Sequence, residues 1–79
     1  MIRVLFFGPV AERIGARELE LPCVAGMRLQ ALIEQLSAQH PGAFDIVSFI
    51  AVNQTQVHDT QLPLNDGDEI ALMAKFSGG

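Results

Sequence analysis

Polar and apolar positions alternate strictly in one short block of this chain, give way to short apolar runs in others, and repeat with helical spacing in one longer block. Ile2 to Phe7 is apolar and β-prone, with Arg3 the only polar residue, and predicts a strand. Gly8-Pro9 ends it, Pro9 suits the first turn of a short helix through about Ile14, and Gly15 stops that helix. Glu18-Leu19-Glu20-Leu21 alternates strictly and predicts a second strand closed by Pro22. Leu29, Leu32, Ile33 and Leu36 follow the i, i+3, i+4, i+7 rule, which predicts an amphipathic helix over about 27–39. Its start is poorly marked: Gly26 is an acceptable cap, but no Ser, Thr, Asp or Asn precedes it. Pro41-Gly42 sets its end. Phe49–Val52 predicts a third strand, Asn53-Gln54 a turn, and Gln56-Val57 a short strand. Asn65-Asp66-Gly67-Asp68 is a turn signal, and Glu69–Ala74 is the last strand.

One long helix covers only one face of a sheet this small. The order therefore predicts an α+β roll, a mixed sheet of four or five strands crossed by one main helix, with a short helix besides. Seventy-nine residues make one domain. The expected division is a folded body over 1–75 and a flexible tail over 76–79. A chain of this size buries only about 60–65% of its unfolded surface and leaves little room for a deep catalytic pocket.

Composition narrows the function. The net charge is -4, and the five basic residues (Arg3, Arg13, Arg17, Arg28, Lys75) are scattered, which argues against a nucleic-acid footprint. No apolar run approaches the roughly 20 residues of a membrane span, and the N-terminus lacks the pattern of a secretory signal, so a cytoplasmic location is expected. Cys23 is the single cysteine, which rules out an internal disulfide and reads as a half-buried filler. Asp66, Asp68 and Glu69 lack calcium-loop spacing and read as a solvated turn. His58-Asp59 has no nucleophile beside it, and His40 suits a helix C-terminus.

The group best placed for chemistry is the α-carboxylate of Gly79. Ser77-Gly78-Gly79 carries no bulky side chain near the end, and a glycine pair samples backbone conformations closed to other residues. Such a tail, made of Phe76, Ser77, Gly78 and Gly79, threads into a narrow channel.

Four segments resemble the ubiquitin-like sulfur carriers of the MoaD/ThiS family, and within it the small subunits of molybdopterin synthases. They are Ile2-Arg3-Val4-Leu5-Phe6-Phe7-Gly8, Ala51-Val52-Asn53-Gln54-Thr55, Leu64-Asn65-Asp66-Gly67-Asp68-Glu69-Ile70 and Gly78-Gly79. The resemblance implies a β-grasp fold. It also implies that a ubiquitin-activating-like adenylyltransferase adenylates the Gly79 carboxylate with ATP, and that a sulfur donor displaces AMP to leave a thiocarboxylate. The sulfur is then delivered inside the large subunit of molybdopterin synthase, in a heterotetramer, for molybdenum cofactor biosynthesis. No bound cofactor or metal is expected, and catalytic groups come from the partners. The family's small subunits carry a Phe-Pro-Pro-like stretch before the tail, where this chain reads Met73-Ala74-Lys75-Phe76. Carriers for thiamin or cysteine synthesis share fold and terminus, and a protein modifier or interaction module is the reading from another class.

The strands also predict a docking face. Arg3, Leu5 and Phe7 share one phase, as do Glu69, Ala71, Met73 and Lys75, and both sets contain charge, so both are expected to point away from the helix. Parallel pairing of the two strands then groups Leu5, Phe7, Ala71 and Met73 at the base of the tail, with Lys75 beside them. The alternative is that Phe7 is core and Phe6 the exposed ring.

Overall fold

The computed structural model describes residues 1–74. Its elements are β1 (Ile2–Phe6), α1 (Pro9–Ile14), β2 (Glu18–Leu21), α2 (Leu29–Gln39), a 3-10 helix (Phe44–Ile46), β3 (Val47–Val52), β4 (Thr55–Val57) and β5 (Glu69–Ala74). The strands form one mixed sheet in the order β2-β1-β5-β3-β4. β1 and β5 run parallel at its centre, and the other neighbours are antiparallel.

Burial follows the two periodicities. Ile2, Val4 and Phe6 of β1 and Ile70, Leu72 and Ala74 of β5 are buried, with Arg3, Leu5, Ala71 and Met73 in the opposite phase. Leu29, Leu32 and Leu36 of α2 close on the buried phase, in one cluster with Val10, Leu21, Met27, Val52 and Leu64. Two glycines allow the path around α1. Gly8 leaves β1 at φ 56 and ψ −130, a conformation closed to residues with a Cβ, and Gly15 ends the helix in the left-handed region with its N–H on Ala11 O.

Several boundaries differ from the expectations, each for a physical reason. α2 begins at Leu29 rather than 27, because Arg28 is extended and bridges to Pro63. Gly26 is not its cap. The first free N–H groups of the helix are satisfied by the incoming loop: Leu29 N donates to Leu62 O at 2.9 Å and Gln30 N to Thr60 O at 2.7 Å. A cap supplied by a distant backbone leaves no side-chain signature. β1 ends at Phe6, although Phe7 N still donates to Leu72 O at 3.2 Å. β3 begins at Val47, two residues earlier than Phe49, and β4 gains Thr55. The 3-10 turn had no counterpart in the sequence reading.

A polar joint ties the β3–β4 turn to the turn before β5. Asn53 Nδ2 donates to Asp68 Oδ1 and Asn53 Oδ1 accepts from Glu69 N, both at 3.0 Å. Asp68 Oδ2 also accepts from Asn65 N at 2.8 Å. Asn53 and Gln54 have φ of 50° and 70°, so this two-residue hairpin turn is of the type I′ class, which favours Asn-Gly. Asn53 is tolerated at positive φ and holds its place by hydrogen bonds. Gln54 shows no such side-chain bond.

Gln54→Gly relieves about 1–2 kcal/mol of left-handed strain and returns part of it as unfolded-chain entropy. The expected net gain of about 0.5–1 kcal/mol appears as a rise of several degrees in Tm by calorimetry. Asn53→Gly, at a position asparagine already tolerates, is expected to lower Tm, because two hydrogen bonds of about 0.5–1.5 kcal/mol each are lost with little strain to relieve.

Candidate functional site

The face of the sheet opposite α2 is arranged in rows across the strands. The register pairs Arg3 with Glu20 and Glu69, and Leu5 with Glu18 and Ala71, while Ala51 stands opposite Ala71. One step beyond the Phe6–Leu72 pair, Phe7 comes level with Met73, which in turn is paired with Phe49. The face therefore grades from a charged row (Glu20, Arg3, Glu69) to an apolar row (Phe7, Met73, Phe49).

The charged row is held by Arg3, whose guanidinium lies 3.4 Å from Glu18 Oε1 and 3.5 Å from Glu69 Oε2. Both ion pairs are open to water and contribute little stability, of the order of 0–1 kcal/mol each. They keep the only cation of that row occupied and leave Glu20 as excess negative charge.

The apolar row is the exposed part. Phe7 is 46% exposed and Phe49 37%, while Phe6 is 3% exposed. Phe6 is core and Phe7 the outward ring, as the strand phase predicts. The remaining members, Leu5, Ala71 and Met73, are half-buried, because neighbouring strands cover their flanks. A depression of about 490 Å³ opens beside Phe7, with Leu5, Gly8, Ala11, Arg17 and Glu18 in its wall. Lys75, Phe76, Ser77, Gly78 and Gly79 lie outside the described residues.

Phe49 is the ring that sequence reasoning missed. Val47 to Val52 reads as an almost unbroken apolar run, which gives a strand but no phase. The phase comes from the β3–β5 register, in which Phe49 and Ala51 pair with the outward Met73 and Ala71, while the irregularity between Val47 and Phe49 turns only Val47 back to the core. Val47 pairs with the buried Ala74 and packs against the core, whereas Phe49, two residues on, pairs with the outward Met73. Only the pairing with β5 reveals this.

Several of the other polar groups that the sequence singles out have structural partners. Asp59 Oδ1 accepts from Gln61 N at 2.9 Å, His40 caps α2 through its N–H on Leu36 O, and Asp66 accepts from the Met1 ammonium. That hydrogen bond raises the amine's pKa above its ordinary value near 8. The raised pKa means that any stabilisation is present below pH 8 and fades as pH climbs past the folded-state value. Both partners are exposed, so the effect is small. Cys23 is half-buried against the core. Among the described residues no group of three or more His, Cys, Asp or Glu is placed to hold a metal ion. Among them, too, no helix is long and apolar enough to cross a membrane.

A mixed five-stranded sheet crossed by one main helix, in this order, is the ubiquitin-like β-grasp fold. The chain belongs to the ThiS family, whose family model matches residues 4–79. It is 37% identical, over an alignment of 83 positions that covers all of both chains, to the molybdopterin synthase sulfur carrier subunit of Escherichia coli. Among solved structures it resembles a chain of the complex of subunits 1 and 2 of the molybdopterin-converting factor from Helicobacter pylori. The identity is 28%, the TM-score 0.70, and the match covers 99% of this chain and 97% of that one. SAMP1 of Haloferax volcanii, at 20% identity and TM-score 0.83 over 99% of this chain and 98% of that one, shares the fold.

Phe7→Ala and Phe6→Ala separate the two faces. Truncating the buried Phe6 is expected to cost about 3–5 kcal/mol, a large part of the stability of a domain this size. Phe7→Ala is expected to leave Tm within a few degrees of the parent in the same thermal melt.

Proposed function

We propose that this protein is the sulfur carrier subunit of a molybdopterin synthase, with Gly79 as the residue that carries the sulfur. The observation that supports this most is the full-length similarity to a curated sulfur carrier subunit, together with the Gly78-Gly79 end. In this reading a Gly79 carboxylate oxygen attacks the α-phosphorus of ATP on an adenylyltransferase and releases pyrophosphate. A sulfur donor then attacks the acyl carbon, AMP leaves, and a thiocarboxylate remains. Transfer of that sulfur within the large subunit returns the carboxylate. The folded body contributes docking, through the face that bears Leu5, Phe7, Ala71 and Met73, with Lys75 where the tail begins.

Magnitudes favour this division of labour. Residues 75–79 reach at most about 17 Å when extended, at ~3.3–3.6 Å per residue. Fixing them in a partner's channel costs roughly 1–2 kcal/mol each, with more for the glycines. An apolar face that loses water on docking offsets that cost at about 25 cal/mol per Å². The likeness to a chain from a two-subunit complex supports a large-subunit partner.

The test is intact mass after incubation with the cognate adenylyltransferase, ATP and a sulfur donor. The expected product is heavier by the difference between sulfur and oxygen, and a chain lacking Gly79 stays unmodified and fails to restore molybdenum cofactor synthesis in cells. Restoration by the shortened chain would overturn the carrier reading, and a far heavier adduct on cellular proteins would point to a modifier. Restoration of thiamin or cysteine synthesis instead would assign another sulfur acceptor. Cys23→Ser is expected to accept and deliver sulfur like the parent, because the thiol packs against the core rather than on the docking face. Single-turnover sulfur transfer checks this.

A further inference from the structure

We infer that Phe49 is a docking anchor, and that the large subunit straddles β5, closing on Phe7 at one side of the departing tail and on Phe49 at the other. The inference rests on the carrier reading and names how its partner is engaged. Phe7, Met73 and Phe49 form one row, and the two outer members are the exposed rings, at 46% and 37%. β5 lies between β1 and β3 in the sheet, so the rings flank the strand from which the chain continues toward Gly79. Two strand spacings of about 4.8 Å place their strands about 10 Å apart. That leaves room for an extended chain to pass between two apolar pockets.

The end of the described chain argues for this occupant. Strand β5 ends at Ala74, one residue past Met73, and five residues follow. Any protein that takes those residues into a channel has its channel mouth at this row. A mouth that touched only Phe7 would leave Phe49 in water beside the channel and would let the body pivot about a single contact. Contacts on both sides fix the direction in which the tail enters. Phe49 stands in the outward phase with Ala51, in the unbroken register that pairs them with Met73 and Ala71, and the irregularity before it returns Val47 to the core and leaves Phe49 as the last outward side chain of that run.

The experiment is calorimetric titration of the full chain, and of its Phe7→Ala, Phe49→Ala and double variants, into the cognate large subunit. Each single variant is expected to weaken Kd tenfold or more with an unchanged Tm. The double variant is expected to show the product of the two effects, because the pockets are separate. Phe49→Leu, which keeps an apolar side chain, is expected to retain binding within a few-fold and guards against loss of fold. In the unmodified chain, ring NMR signals of both phenylalanines are expected to shift when the large subunit is added. A Phe49→Ala chain that binds within twofold of the parent, or a Phe49 ring signal that does not move, would overturn the inference and leave the carrier reading standing. Absence of any binding by the unmodified chain would remove both.

Discussion

The parallel pairing of β1 with β5 is the constraint on which the other features depend. Its register, Arg3 to Glu69 through Phe6 to Leu72, decides which residues meet α2 and which meet solvent. Side chains on a strand alternate, so a slip of one residue would send Ile70, Leu72 and Ala74 outward and bury Glu69 and Met73. Burial of Ile2, Val4, Ile70 and Leu72 to complete exclusion from water makes such a slip costly. The same register that protects the core sets Phe7 beside Met73. Core formation and the exposed apolar row are thus two faces of one pairing.

Parallel strands need a long crossover, and its two parts are stabilised differently. α2 contributes Leu29, Leu32 and Leu36 to the core, but its N-terminus is finished by carbonyls of Thr60 and Leu62. The segment between β4 and β5 therefore caps the helix before it enters the turn at Asn65–Asp68. That turn is in turn fastened to the β3–β4 hairpin by Asn53. Each of these links is between backbone or short polar groups that cost free energy when left unpaired. The irregular half of the chain is ordered by them, since it carries few of the fully buried side chains.

What could be read in advance follows the same logic. α1, β2 and β5 were legible to the residue, because each is bounded by Pro, Gly or a strict alternation. The outward phase of Phe7 was legible from Arg3 and Leu5 in the same strand. The start of α2 was not, because its cap comes from thirty residues away and Arg28 is held extended by Pro63. Phe49 was not, because an apolar run carries no phase and the β3–β5 register that sets it is a property of two strands together. In each case the missing information lay in a long-range backbone contact that single-strand or single-helix patterns do not encode.

The site shows how little chemistry a carrier body has to hold. Asp59, Asp66, Asp68 and Arg3 are engaged in turns, a terminal ion pair and surface pairs. None of them stands in the apolar row. A carboxylate near that row would raise the cost of docking, because its desolvation is repaid only by a well-placed partner cation. Charge at Glu20, Arg3 and Glu69 stands at the far end of the outer face, four residues along the strand from Phe7 in β1 and from Met73 in β5, with Glu18 level with Leu5 between them. Rings and a thioether lose little on leaving water and bind by contact area, which in the proposed reading suits partners that present an apolar mouth. In the proposed reading, affinity lies in the row and reactivity in the residues beyond Ala74, a division in which one surface could serve both activation and delivery.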